Sequence, residues 1–234
     1  MFGTVGALVG VLAGAVLAAQ NSEIYTYKPG EYAAIENGRA PNGQYSIAAH
    51  GEGEDGLDHF FLYLMAEPGH KKIGPLEEVE GSVYSAPRTY TARWSPDSRH
   101  VAIEYTAMRH IQDLKLYRLQ GRRATLVQGP LPVETVLKGK PSSKKDENES
   151  DLRSTYFQVR WLRSTRFVLH EGGQYTSVTP GLIRAMGTFG KTSTETLDGQ
   201  KRTYLDYSID ETCELAPGNK WRVVNLKPGR FAAD

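Results

Sequence analysis

One stretch constrains the fold of this chain more than any other: Arg93–Tyr105, which reads R-W-S-P-D-S-R-H-V-A-I-E-Y. Residues 89–94 alternate polar and aromatic side chains, as a strand with one buried face does. Pro96 presets φ for a tight turn, and Ser95 and Asp97 can hydrogen-bond their own backbone. The following residues alternate again and predict a second strand, with Val101, Ile103 and Tyr105 on one face and His100, Ala102 and Glu104 on the other.

Related segments recur on both sides of this unit. Pro96 lies 55 positions after Pro41, and the same spacing separates two Gly-Pro-Leu segments, 74–76 and 129–131. A spacing of 54 aligns two Leu-Tyr pairs in the predicted strands 60–65 and 114–119, and a third relative runs over 161–169. These coincidences indicate an internal repeat.

The apolar faces of the first two relatives do not align at this spacing. Tyr45 and Ile47 match Val101 and Ile103 only at a spacing of 56. Because a slip of one residue moves every side chain to the other face of a strand, we expect a one-residue difference between the two turns.

The pattern W-S-P-D-x-x-x-V-A-I, followed by a strand that ends L-Y-R-L at Leu119, resembles a blade of the TolB-like, WD-related β-propellers. In that family the fourth turn residue is usually glycine. Ser98 takes that place here, so the turn either avoids a positive φ or accepts a small strain. The resemblance covers about one clear blade and implies a fold but no activity, since function depends on sites carried by folds.

Three blade-like units are too few to close a ring. We therefore expect residues 20–234 to form a single all-β domain, an open or incomplete propeller-like arrangement of antiparallel hairpins after an N-terminal hydrophobic segment. A small barrel-like closure, or strand edges that meet a partner, are the alternatives.

Local signals predict four further features. Thr179-Pro180 is typical of a helix start, with the helix running to Met186. Asp198-Gly199 predicts a type I′ turn between strands 192–197 and 201–209. Residues 221–226 predict a last strand, and the charged run 138–153 predicts a solvated loop.

Residues 1–19 form a segment apart, because Phe2–Ala19 is continuously apolar or small. It is read as a secretory signal peptide cut near Ala18 or Ala19, or as an uncleaved membrane anchor. The first interpretation predicts an exported protein, periplasmic or secreted; the second predicts a membrane-anchored one with its domain outside the cytoplasm. The single cysteine, Cys213, has no partner within the chain and is expected to be buried near Leu215.

The charge balance argues against a nucleic-acid partner. The 28 Lys and Arg nearly equal the 27 Asp and Glu, which gives a formal net charge of +1. Membrane contact is accordingly expected only through the N-terminal segment, if that segment is not cleaved.

Several segments resemble chemical motifs, each with a simpler explanation. Residues 185–192 approximate a phosphate loop, but a strand follows where that loop needs a helix. The acidic stretch 51–59 contains oxygen ligands for Ca²⁺ without the usual spacing. Ser142 and Lys145 share a charged loop. A possible aromatic sugar-binding surface is more simply explained as packing between sheets; it comprises Trp94, Trp161, Tyr105 and Tyr117.

These observations predict no catalytic, cofactor-binding or metal-binding residue and no cofactor. The favoured hypothesis is a non-enzymatic exported β-domain that acts as a binding or structural scaffold for a protein partner. One alternative is a membrane-anchored accessory subunit. Another is a hydrolase with a dispersed site around Asp55, Asp58, His59 and His170.

Overall fold

The computed structural model describes residues 23–76, 79, 84–138, 140 and 151–230. Within these ranges the chain is all-β apart from two short helices, α1 (Pro132–Leu137) and α2 (Pro180–Met186), and two single 3-10 turns. The strands are β1 (Ala33–Arg39), β2 (Tyr45–Glu52), β3 (Asp58–Ala66), β4 (Lys71–Pro75), β5 (Tyr90–Trp94), β6 (His100–Met108), β7 (Ile111–Gln120), β8 (Arg123–Val127), β9 (Asp151–Arg163), β10 (Arg166–Thr176), β11 (Gly190–Leu197), β12 (Gln200–Ala216) and β13 (Lys220–Pro228).

Strand pairing forms one open path, in the order β11-β12-β10-β9-β7-β6-β5-β1-β2-β3-β4, with β13 on β12 and β8 on β7. The path divides into three antiparallel groups: a first sheet of β1–β4, a second of β5–β8 and a third of β9–β13. Single parallel pairs join these groups, Glu36 with Thr91 and Ile111 with Thr155. The open all-β form is therefore confirmed, and the described strands do not close into a barrel.

The sheets bury side chains against one another. Ile47 and Leu64 of the first sheet share a core cluster with Val101, Ile103 and Tyr117 of the second. A second cluster lies between the other face of the second sheet and the third sheet. A third cluster packs the long strands β10 and β12 against both helices. Both faces of the second sheet are thus covered, which explains the continuous burial of residues 100–105.

The first two proline turns have the same hydrogen bonds. The N–H of Gly43 donates to Ala40 O, and the N–H of Ser98 donates to Ser95 O, each at 2.9 Å. Ser98 adopts a positive φ of 58°, so the turn accepts the strain that glycine would avoid. Its hydroxyl accepts a hydrogen bond from the N–H of Asn42 at 3.0 Å, which ties the two turns together.

The expected one-residue difference between these turns is wrong. The turns match at a spacing of 55, where Ile47 and Ala49 correspond to Ala102 and Glu104. Ile47 faces the following sheet, as Ala102 does, whereas Ile103 faces the preceding one. The apolar faces are offset by one residue because neighbouring sheets present opposite faces to the core they share.

Two tryptophans link each sheet to the one before it. The indole N–H of Trp94 donates to Gly38 O at 3.1 Å, and that of Trp161 donates to Arg93 O at 2.9 Å. The two acceptors are themselves 55 positions apart. The same bond therefore recurs at both junctions of the stack.

The later elements agree with their local signals. Asp198 and Gly199 have φ values of 51° and 76°, as a type I′ turn requires. The hydroxyl of Thr179 accepts from the N–H of Leu182 at 3.2 Å and caps α2. β13 contains the predicted strand 221–226, and Cys213 is fully buried, as expected.

Two features differ from expectation or lie outside the described ranges. β9 begins at Asp151, inside the predicted loop 138–153, and much of the remainder of that loop, 139 and 141–150, is outside the described residues. The predicted N-terminal segment 1–19 is also outside them. Among the residues that are described, neither helix is long and apolar enough to cross a bilayer.

Candidate functional site

A polar groove lies where the second and third sheets meet. β7 and β9 pair there only at Ile111 and Thr155, and the N–H of Thr155 donates to His110 O at 3.0 Å. Two adjoining pockets of about 400 and 770 Å³ make up the groove. Both pockets are lined by the same five residues: Glu23, Tyr84, Thr106, Gln112 and Tyr156.

Arginine side chains give the groove a positive rim. Arg88 and Arg93 line one pocket, and Arg109 lines the other. Arg88 and Arg109 are exposed, and the side chain of Arg93 is 37% exposed. Guanidinium groups at such positions favour carboxylates, which they can bind with two parallel hydrogen bonds.

Glu104 forms the floor of the groove and joins the two sheets. One carboxylate oxygen accepts from Arg93 Nε at 3.1 Å, and the other accepts from the N–H of Val159 at 2.6 Å. Burial raises the pKa of Glu104, an effect that the bonds from Val159 and Arg93 oppose. Because its two oxygens accept from residues of two different sheets, this carboxylate holds the sheets together.

Tyrosine rings supply the flat surfaces of the groove. Tyr156 is 38% exposed, and a Cβ at the neighbouring Gly172 would lie only 2.3 Å from its hydroxyl oxygen. The absence of a side chain at Gly172 therefore lets the ring lie close against β10. Tyr84 also lines both pockets, and burial raises the pKa of each phenol.

The residues of the predicted dispersed site do not converge. Asp55 lies in the β2–β3 connection of the first sheet, and Asp58 and His59 begin β3. His170 lies on β10 of the third sheet, where its Nδ1 is 2.7 Å from Asp210 Oδ1. The second sheet separates the two groups, so this arrangement of a hydrolase site is not assembled.

The aromatic residues considered as a sugar-binding surface pack between sheets instead. Tyr105 and Tyr117 are 3% and 0% exposed, and both belong to the core shared by the first and second sheets. Trp94 and Trp161 are partly buried and make the two bonds between sheets described above.

The remaining motifs also have structural explanations. Residues 185–192 run from the end of the helix α2 into the strand β11, which is the reverse of the order that a phosphate loop requires. Among the described residues, which include the acidic stretch 51–59, no group of acidic, histidine or cysteine side chains has the arrangement of a metal site. Ser142 and Lys145 lie outside the described residues.

Sequence reasoning did not identify the groove. Its tyrosines, Tyr84 and Tyr156, come from distant parts of the chain, and its arginines look like ordinary surface residues in their local context. The chain itself matches no protein-family model, no curated protein and no solved structure. The functional interpretation of the groove therefore depends on its geometry alone.

Proposed function

We propose that this protein is an exported, non-enzymatic binding scaffold whose groove between the second and third sheets holds an acidic segment of a protein partner. The single observation that carries the proposal is the combination, in one cleft, of two exposed arginines, Arg88 and Arg109, with two tyrosine rings. Aromatic residues and arginine are enriched where proteins recognise one another.

The charge of the groove favours an acidic partner. Arg88 and Arg109 place positive charge at exposed positions of the rim, and Arg93 forms an ion pair with the carboxylate of Glu104. Glu23 is the remaining acid of the lining. The larger pocket, about 770 Å³, is within the range in which proteins enclose small ligands, so it can hold a few residues of an extended segment.

Binding, as opposed to catalysis, is supported by the state of Glu104. Burial raises the pKa of this carboxyl group, which is a property expected of a general acid. Burial is the cause of this shift, and the two oxygens accept hydrogen bonds from Arg93 and from the backbone of Val159, so the carboxyl group has a structural role between the sheets.

The test is site-specific photo-crosslinking in cells that produce the full chain. A photoreactive residue replaces Tyr156 in the groove or, as a matched control, Leu162 on the same strand; these positions are 38% and 47% exposed. We expect adducts with a protein at position 156 and not at 162. We also expect charge reversal by Arg88→Glu together with Arg109→Glu to remove them.

The chemistry of the partner is tested separately by titrating the purified chain with an oligo-glutamate and an oligo-lysine peptide. We expect binding of oligo-glutamate only, weakened by salt, because exposed charges are screened. Equal adducts at both crosslinking positions, or binding that the two charge reversals leave unchanged, would rule out the groove.

Export is supported by the apolar segment Phe2–Ala19. The mature N-terminus, read by mass spectrometry on the protein recovered outside the cytoplasm, distinguishes the two forms. A chain that begins near Ala19 or Gln20 indicates a cleaved signal peptide. An intact chain in the membrane fraction indicates the membrane-anchored accessory subunit instead.

A further inference from the structure

The hairpin of β11 and the first residues of β12 stands apart from the rest of the third sheet. Every residue from 191 to 202 is exposed, so the remainder of the described chain covers neither face of this two-stranded ribbon. β11 is also the last strand of the path, and its outer edge pairs with no other described strand. A two-stranded ribbon without a covered face is only marginally stable in water.

The free edge lacks two features that commonly prevent strand pairing, proline and a bulge. β11 contains no proline, and its register with β12 continues from Gly190 to Leu197 without a bulge. Natural edge strands are commonly protected by proline, bulges or inward charges. The one lysine on this edge, Lys191, is accompanied by an acid four residues on, Glu195.

The geometry of the turn determines which groups point outward. In a two-residue hairpin the flanking pair, here Leu197 and Gln200, exchanges both backbone hydrogen bonds. The direction alternates along the strand, so Thr192, Thr194 and Thr196 point their N–H and C=O groups away from β12. When a second copy of β11 pairs with the first about a two-fold axis, the outward backbone groups of one strand must face the outward backbone groups of the other. The axis can therefore pass only through a residue position and not between two residues.

One of these registers is self-complementary. With the axis at Ser193, Lys191 of each copy lies opposite Glu195 of the other, and Thr192 lies opposite Thr194. Opposite charges and paired threonines are favourable cross-strand neighbours. Lys191 also lies opposite Asp206 within its own chain, and Glu195 lies opposite Arg202. The pairing therefore extends these into rows of alternating charge across four strands.

We propose that two copies of this chain associate through antiparallel pairing of their β11 strands about a two-fold axis at Ser193. The interface is isologous, as in most homodimers. It turns each two-stranded ribbon into half of a four-stranded sheet. It does not involve the groove, so this proposal and the proposed binding function can fail independently.

The register is tested by single cysteines in the full chain. In the proposed dimer the Ser193 residues form a pair without backbone hydrogen bonds, and Cα atoms in such pairs are about 4.5 Å apart, within reach of a disulfide. Ser193→Cys should form a covalent dimer under mild oxidation. The matched control is Thr196→Cys, because these residues would be roughly 20 Å apart across the axis. The natural Cys213 is buried and does not interfere.

The charge pairing is tested by mixing two variants and measuring sedimentation velocity. Glu195→Lys and Lys191→Glu each place like charges opposite one another, and each should weaken the homodimer by about tenfold or more. Mixing the two variants restores both opposite-charge pairs and should restore the dimer, although the contacts within each chain remain altered. A monomeric wild type, equal crosslinking at positions 193 and 196, or no recovery on mixing would overturn the proposal.

Discussion

The buried carboxyl of Glu171 is expected to make the stability of this fold depend on pH. Its side chain is 5% exposed and faces α1 from the third sheet. The N–H of Val133 donates to one oxygen at 3.0 Å, and the hydroxyl of Tyr207 donates to the other at 3.2 Å. Burial, with smaller contributions from Glu134 and Glu211, raises the pKa of Glu171 to about 7.

The sign of the pH dependence follows from comparing the pKa of Glu171 in the folded and unfolded chains. In the unfolded chain Glu171 has its ordinary pKa of 4.5, so the folded protein binds the proton more tightly. The stability contributed by the protonated carboxyl is fully present below pH 4.5 and is lost as the pH rises through about 7. With these two values the free energy of unfolding falls by about 2.5 kcal/mol between pH 5 and pH 8.

The assay is urea unfolding of the full chain at pH 5 and pH 8, with Glu171→Gln as the comparison. Glutamine keeps an acceptor for Val133, and its amide can donate to Tyr207. We expect the loss of stability between the two pH values to be about 2.5 kcal/mol smaller in the variant. If wild type and variant lose stability in parallel, Glu171 is ionised in the folded protein at both pH values and the reasoning fails.

Two further predictions concern the core. Trp161→Phe removes the indole hydrogen bond to Arg93 O and should lower the free energy of unfolding in urea by about 1–2 kcal/mol. Leu162→Ala, at the neighbouring position, should lower it by less than about 0.5 kcal/mol. Equal losses would contradict a specific bond between the sheets. The Cys213 thiol is fully buried, and burial raises its pKa, so a thiol reagent should label it only through unfolding. Labelling of the native protein as fast as an exposed thiol would contradict that placement.

The turns were predictable because their determinants lie within a few residues. Ser95 and Asp97 bond within their own turn, with Ser95 Oγ donating to Asp97 Oδ1 at 2.7 Å. Asp198-Gly199 and Thr179-Pro180 act in the same local way. These signals need no knowledge of the rest of the fold, and each of these turns formed where it was expected.

The helix α1 was missed because it lacks such signals. It has only six residues, too few for a helical period to be recognised. Leu131, which precedes it, has no side-chain oxygen to cap the helix. The carboxylate of Glu134 instead accepts from the N–H of Leu131 at 2.9 Å.

The groove could not be predicted because distant segments form it. The alternation in β6 correctly placed Glu104 on the face opposite Ile103, but its partner is the backbone of Val159, which belongs to another sheet. Only the packing of the second sheet on the third brings Tyr84 and Tyr156 to the same cleft.

The hydrogen bonds made by the two tryptophans run in the same direction along the chain. Each indole belongs to a later sheet and reaches back to a carbonyl of an earlier one, while Arg39 stands at the equivalent position of the first sheet. Shortening the chain from its carboxyl end would leave only a carbonyl for water to solvate. Shortening it from the other end would remove the carbonyl and leave an indole N–H without its acceptor, so the two truncations leave different polar groups unpaired.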